Sequence, residues 1–153
     1  MAKMASVAAI REGTVIDHIP AGYAFIIYQL LKLGQIKHRI ALGLNLSSVS
    51  MRLKDLIKIE NHFLTEKEAH DIAVFAPQAT ISLIKNYKVT GKKPVKLPAA
   101  ITRVLVCPNP RCITNSESID TLFHVKEHKQ HVLLRCHFCE KLFERSEIKD
   151  YRP

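Results

Sequence analysis

Cys107, Cys112, Cys136 and Cys139 constrain this chain more than any other feature. They are its only cysteines, and they fall as two close pairs: C-P-N-P-R-C, then 23 residues, then C-H-F-C. Each pair offers two thiolates from one turn, and the segment between them can fold back to close both pairs on one ion. Four thiolates fill a tetrahedron and leave no open position, so such a site is structural rather than catalytic. Zn2+, one per chain, is the expected occupant. An iron–sulfur cluster would use the same ligands; two disulfides or free core thiols are the metal-free alternatives. The opening M-A-K-M-A-S-V-A-A-I carries no apolar run of a secretory signal. No stretch reaches the roughly 18 apolar residues a membrane span needs. A cytoplasmic protein is the expectation, and in that compartment paired cysteines favour metal over disulfide. His124, His128, His131 and His137 lie near the cysteines. Four thiolates need no histidine, so all four read as surface or supporting residues, with His137 turned to solvent.

Length and charge divide the remaining possibilities. At 153 residues the chain can form one ordinary domain or two small ones. The net charge of +9 invites a polyanionic partner, but its distribution redirects that inference. Residues 1–100 hold 14 Lys and Arg against 7 Asp and Glu, whereas residues 101–153 hold 9 against 7. A cysteine module that grips nucleic acid would carry the charge itself, and Glu140 stands where a zinc knuckle commonly has Gly. The anion-binding role therefore falls to the first hundred residues, with no nucleic acid and no membrane among the expected partners.

Apolar periodicity outlines that first part. Residues 5–11 read as an edge or arm strand, and T-V-I-D-H-I (14–19), after Gly13, as a strand. Pro20 suits the first position of a helix. Residues 23–33 form a helix apolar on nearly every side, which must bury two faces, in a deep core or a subunit contact. Residues 40–46 alternate strictly, with Ile40, Leu42, Leu44 and Leu46 on one side and turn chemistry from Asn45 to Ser50. Residues 53–61 form a strand with Leu53, Ile57 and Ile59 on one face and Lys54, Leu56, Lys58 and Glu60 on the other. Thr65 and Glu68 make a capping box for a helix ending at Ala76-Pro77. Residues 79–90 return as a last strand. Strand, helix, strand, strand, helix, strand is the ferredoxin-like pattern of an α+β fold: an antiparallel sheet with two helices on one face. Gly91–Pro98 reads as a linker. The domains expected are 1–97 and 98–153, the second a small all-β module in which I-T-R-V-L-V and H-V-L-L-R-C run as strands into Cys107 and Cys136. Some 50 residues make a poor core, so the metal supplies much of that module's folding free energy.

Catalytic motifs are missing: there is no P-loop, G-x-G-x-x-G, G-x-S-x-G or H-E-x-x-H. Asp17 and His18 are adjacent, so a regular strand points them to opposite faces and denies them a dyad. Most of Lys54, Lys58, Lys85, Lys88, Lys92 and Lys93 read as solvated surface. Lys58 and Lys92 are the exception, two point charges able to meet one triphosphate. Tyr87 and Val89 share a strand face and either line a base pocket or pack in the core. The residues describe a non-enzymatic, two-domain zinc protein that binds an anion, with a zinc-ribbon nucleic-acid binder as the rival.

Several strings resemble one family. G-T-V-I-D-H-I-P (13–20), L-G-L-N-L (42–46), K-D-L-I-K-I-E-N (54–61), A-P-Q-A-T (76–80), V-L-V-C-P-N-P-R-C (104–112) and C-H-F-C-E-K (136–141) are similar to the regulatory chain of aspartate carbamoyltransferase. The resemblance runs from about residue 5 to 145. It implies a chain without catalytic residues that dimerises, bridges catalytic trimers in pyrimidine biosynthesis, and binds CTP as inhibitor and ATP as activator. Matched by motif, the implied nucleotide site takes Ala9 and Ile10 from the arm, Asp17 and His18 from D-H-I-P, Lys58 from K-I-E-N, and Tyr87, Val89 and Lys92 from N-Y-K-V-T-G-K. The lysines would meet phosphates, Asp17 ribose hydroxyls, and backbone near Ile10 and Tyr87–Val89 the base. Helix 23–33 and strand 40–46 would form the regulatory homodimer, and the zinc module would dock on the catalytic chain. Three positions depart from the pattern: Ala8 is often acidic in relatives, Ser82 is often Asn, and Arg111 stands where relatives can carry a small polar residue.

Overall fold

The computed structural model describes residues 7–129 and 131–151, and the chain divides into two compact units, Met1–Lys96 and Leu97–Pro153. The first is built on strands β1 (Gly13–Pro20), β2 (Ile40–Ser48), β3 (Arg52–Glu60), β4 (Thr80–Lys85) and β5 (Lys88–Pro94), with helices α1 (Ala24–Leu30) and α2 (Glu66–Phe75). The strands lie in the order β2-β3-β1-β4-β5, with every neighbour antiparallel. Four of them with the two helices make the expected ferredoxin-like pattern, and β5 extends its edge. Alternation along the strands sends Ile16, Ile57, Ile59 and Ile81 to the helix side, where they pack with Ile27, Leu33 and Ile72. Gly13 can open β1 because its φ is +141° and a Cβ there would collide with the Ile59 carbonyl. Thr65 accepts from the Glu68 amide while the Glu68 carboxylate accepts from the Thr65 amide, which closes the predicted capping box.

Asp55 organises the turn regions on one side of this sheet. It is 1% exposed, and its carboxylate accepts from the backbone N–H groups of Gly22, Ala24 and Asn45 at 2.9, 3.2 and 3.0 Å. One buried side chain thus fixes the start of α1 and a bulge in β2. That bulge, with Asn45 at φ 55°, ends the strict alternation of β2 and leaves Leu44 42% exposed. The β2–β3 turn falls at 49–51, and Leu53 beside it keeps the side of Ile57 and Ile59 by alternation but is exposed.

Other boundaries also differ from the sequence reading. Residues 5 and 6 of the expected arm strand lie outside the described residues, and Val7–Arg11 carry no strand. Pro20 ends β1, paired with Lys54, instead of starting the helix. The helix expected over 23–33 closes at Leu30, and Lys32 at φ 53° leads into a separate 3-10 turn, Leu33–Gln35. Phe25 on its outer side is 56% exposed, so the deep-core alternative for this helix does not hold. The strand expected over 79–90 is a hairpin: Asn86 and Tyr87 turn at φ 50° and 64°, and β5 runs back through Pro94. Half of the expected linker is therefore strand, and 95–99 alone connects β5 to the next strand.

The second unit is a sheet of β6 (Ala100–Thr102), β7 (Leu122–His128), β8 (His131–Cys136) and β9 (Leu142–Glu144) in chain order, all antiparallel. Among the described residues its buried apolar side chains are few: Ile101, Leu105, Phe123, Val132, Leu134, Phe143 and Ile148 besides Cys107, Cys112 and Cys136. The strand expected to run into Cys107 stops at Thr102, because Arg103 turns at φ 73°, and Leu105 makes only a single bridge to Tyr151. Among the described residues no helix is long and apolar enough to cross a membrane.

Candidate functional site

The four cysteines meet. Their Sγ atoms all lie within 4.8 Å of one another, with Cys107–Cys139 at 3.8 Å and Cys112–Cys136 at 3.7 Å. A disulfide would bring two sulfurs to about 2.05 Å. A tetrahedron with metal–sulfur bonds of about 2.3 Å has edges of about 3.8 Å, which the Cys107–Cys139 and Cys112–Cys136 separations match. The residues fit a four-coordinate thiolate centre. Cys107, Cys112 and Cys136 are buried, and Cys139 sits at the edge. Burial raises the Cys107 and Cys136 thiols. At Cys139 burial is outweighed by hydrogen bonds from the Lys141 backbone, from Asn109 and from its cysteine neighbours, which lower it to about 7.

Supporting contacts fix both cysteine loops. Asn115 Nδ2 donates to the Cys107 carbonyl at 3.0 Å and to the Asn109 carbonyl at 2.7 Å. Thr114 Oγ1 lies 3.2 Å from the Cys112 sulfur. Asn115 and Thr114 were not singled out by sequence, since nothing in a lone Asn or Thr announces such a contact. Glu140 turns at φ 62°, the left-handed backbone that Gly supplies in a knuckle, so its identity does not alter the turn. His128 and His131 are exposed at the β7–β8 turn, while His124 and His137 approach each other across the sheet.

The first unit has an open sheet face opposite its helices. Register sets Lys58 against Val15, Val15 against Ser82, and Ser82 against Lys92. Paired residues share a face, so Lys58 and Lys92 stand in one row across β3, β1, β4 and β5. Their Cα atoms lie three strand spacings apart, about 14 Å, a gap that flexible four-carbon stems can narrow. Lys58 Nζ donates to the carbonyls of Val7 and Ala8, at 3.0 Å each, which holds the segment before Ala9 and Ile10 over this face. Burial lowers the Lys58 pKa. The Tyr87 amide donates to the Arg11 carbonyl at 3.0 Å, so the same segment reaches the β4–β5 turn. Ile10 is buried, whereas Ala9, Tyr87, Val89 and Lys92 are exposed. Tyr87 belongs to the turn and Val89 to β5, so they do not share a regular strand face, and their exposure rules out core packing for either.

Asp17 and His18 sit at a bulge in β1, with His18 at φ 59°. The strand is not regular there, which undoes the expectation of opposite faces. The Asp17 carboxylate accepts the His18 backbone N–H at 2.6 Å, and the His18 ring lies 3.3 Å from Thr80 Oγ1. Lys54 pairs with Asp17 at 2.9 Å. Burial raises the Asp17 pKa, but the Lys54 and His18 contacts outweigh it and hold the carboxyl below its ordinary value. Lys54 is thus no solvated surface lysine; its spacing of four from Lys58 on one strand face was the available signal. The open face gathers Lys54, Asp17, Lys58, Ser82 and Lys92, while His18 stands at its border.

This arrangement defines a class: a two-unit binding protein with a closed, structural metal centre and a separate cationic sheet face. Residues 5–96 match the allosteric domain, and residues 99–149 the metal-binding domain, of the aspartate carbamoyltransferase regulatory chain. The chain is 50% identical over 142 residues to a protein of that name from Photorhabdus laumondii, covering 93% of this chain and 92% of the relative. It is 50% identical over 137 residues to those of Salmonella arizonae and Salmonella newport, covering 90% of each chain. The chain belongs to the aspartate carbamoyltransferase regulatory chain family, and it is a non-catalytic regulatory chain.

Proposed function

We propose that this chain is the regulatory subunit of a cytoplasmic aspartate carbamoyltransferase in pyrimidine biosynthesis, binding CTP as inhibitor and ATP as activator. The observation that carries the reading is the row Lys58–Val15–Ser82–Lys92, with the Val7–Arg11 segment held at both ends over the open face. Lys58 and Lys92 hold the phosphates, Asp17 and His18 the ribose, and the backbone around Ile10, Tyr87 and Val89 the base. Ala9 completes the segment. Because Ala8 offers only its carbonyl to Lys58, no acidic side chain at that position competes with phosphate for the cation. Exposed Phe25 and Leu44, on α1 and the edge strand β2, support a regulatory homodimer through these elements. The four thiolates hold one Zn2+, which shapes the second unit for docking on the catalytic chain and so links catalytic trimers.

A nucleotide biases such an assembly only by binding its two quaternary states with different affinity, typically by about 1–3 kcal/mol. The test is reconstitution with the catalytic chain, followed by mass and activity measurements with and without CTP and ATP. Lys58→Ala is expected to weaken CTP binding by about 1.5–3 kcal/mol and to leave zinc and assembly intact. Unchanged CTP affinity would remove Lys58 from the site; an assembly whose activity ignores both nucleotides would remove the regulatory reading.

A further inference from the structure

The second unit carries another set of metal-ligating side chains, which no part of the regulatory reading uses. In the β7–β8 ladder Phe123 pairs with Cys136 and His124 with Arg135. Phe123 and Cys136 face inward and are buried, so His124 and Arg135 point outward. The His137 amide donates to the Leu122 carbonyl at 2.9 Å, which continues the ladder one residue and keeps His137 on the outward side. There the two imidazoles converge: His124 Nε2 lies 3.1 Å from His137 Nδ1, with ring planes 56° apart. They open into a cleft of about 320 Å³ lined also by Lys126, Arg135, Cys136 and Glu140.

The geometry points to a second metal site in which His124 and His137 bind one divalent transition-metal ion. Two metal–imidazole bonds of about 2.05 Å, spanning the observed separation, enclose an angle of about 98°, between the square-planar and tetrahedral values. Imidazole pairs select Cu2+, Ni2+ and Zn2+ over Mg2+ and Ca2+, which want oxygen. Lys126 and Arg135 oppose a cation, but Arg135 is offset by Glu140, 3.9 Å away. Among the described residues only the four cysteines bring three or more ligand groups together. The histidine site is therefore bidentate and open, with its remaining positions left to water or to an anionic group from outside. This is the opposite of the closed thiolate centre, which Cys136 contributes to from the end of β8. The inference does not depend on nucleotide regulation.

The experiment uses the full-length chain, zinc-loaded and shown by elemental analysis to hold one zinc. Ni2+, which does not oxidise thiols, is titrated in by calorimetry and absorption spectroscopy. One further saturable equivalent with nitrogen coordination is expected. His124→Ala, remote in sequence from the cysteines, should weaken it about tenfold or more while retaining zinc, and His137→Asn should act alike. A His128→Asn/His131→Asn double variant removes the exposed pair at the hairpin turn and should leave the site unchanged. No saturable Ni2+ beyond the zinc overturns the proposal and leaves a simple imidazole–imidazole hydrogen bond. Undiminished Ni2+ affinity in His124→Ala overturns it too, as does binding that responds only to the His128/His131 change. A zinc-loaded chain that takes inorganic phosphate in this cleft and not Ni2+ would make it an anion site instead.

Discussion

The two units solve the same problem with different means. The first buries Ile16, Ile19, Ile27, Leu33, Ile57, Ile59 and Ile72 completely, between two helices and five strands. The second has four short strands and Phe123, Ile101, Leu105 and Leu134 as its largest fully buried side chains. A unit of that size gains too little from apolar burial to offset its chain entropy, and the four thiolates make up the difference through metal. The first unit is thus free to leave one sheet face without helices, covered in part by the segment at Val7 and Ala8. The second is shaped around an ion that has no vacant position for chemistry.

That contrast can be broken most severely by removing the metal. Chelation, or Cys112→Ala, should unfold residues 97–153 and leave residues 1–96 folded, as read by amide exchange; uniform protection loss across both units would refute separate solutions. Metal binding in comparable thiolate modules is worth about 10–16 kcal/mol, so the effect should be complete. Next in size is Asp55→Ala, which strands the N–H groups of Gly22, Ala24 and Asn45. A loss of about 3 kcal/mol or more is expected in the first unit's denaturation midpoint, with the metal content untouched. Asn115→Ala comes third: losing its bonds to the Cys107 and Asn109 carbonyls should reduce metal affinity by about 10–100-fold in a chelator competition. The smallest effect concerns pH. Asp17 is held below its ordinary value, so its pairing with Lys54 stabilises the first unit above the unfolded carboxyl pKa of about 3.9. That contribution is lost as the pH falls through the lower folded value. Lys54→Met should flatten the acid limb of the first unit's stability curve; an unchanged limb would show that the pair is worth nothing.

Legibility from sequence also differed between the units. The meeting of the four cysteines was readable because a thiolate centre needs only residue type and spacing, and two tight pairs leave little freedom in how they close. The capping box at Thr65 and Glu68 was readable for the same reason: both partners lie within one turn. The β4–β5 hairpin was not. Apolar residues recur from Ile81 to Val89, and the turn is Asn86-Tyr87 without the Gly that ordinarily marks a two-residue turn of this sense. Missing it also turned Gly91–Pro94 into linker, because an edge strand of exposed lysines looks like solvated loop. The irregularity at Asp17-His18 escaped as well, since a bulge arises from pairing with β3 and β4 and leaves no local mark.

Spacing and composition were sufficient for the alternation of strands and helices, the uneven division of charge, and the grouping of the four cysteines, because each is written in residue type and in local pattern along the chain. The cross-sheet row joining Lys58 to Lys92, the Lys54–Asp17 pair, the three-way grip of Asp55 and the meeting of His124 with His137 follow from none of these. Each joins residues from different strands or turns, and strand register is set by packing of the whole sheet. A side chain's partners across a sheet become definite only when that packing is complete.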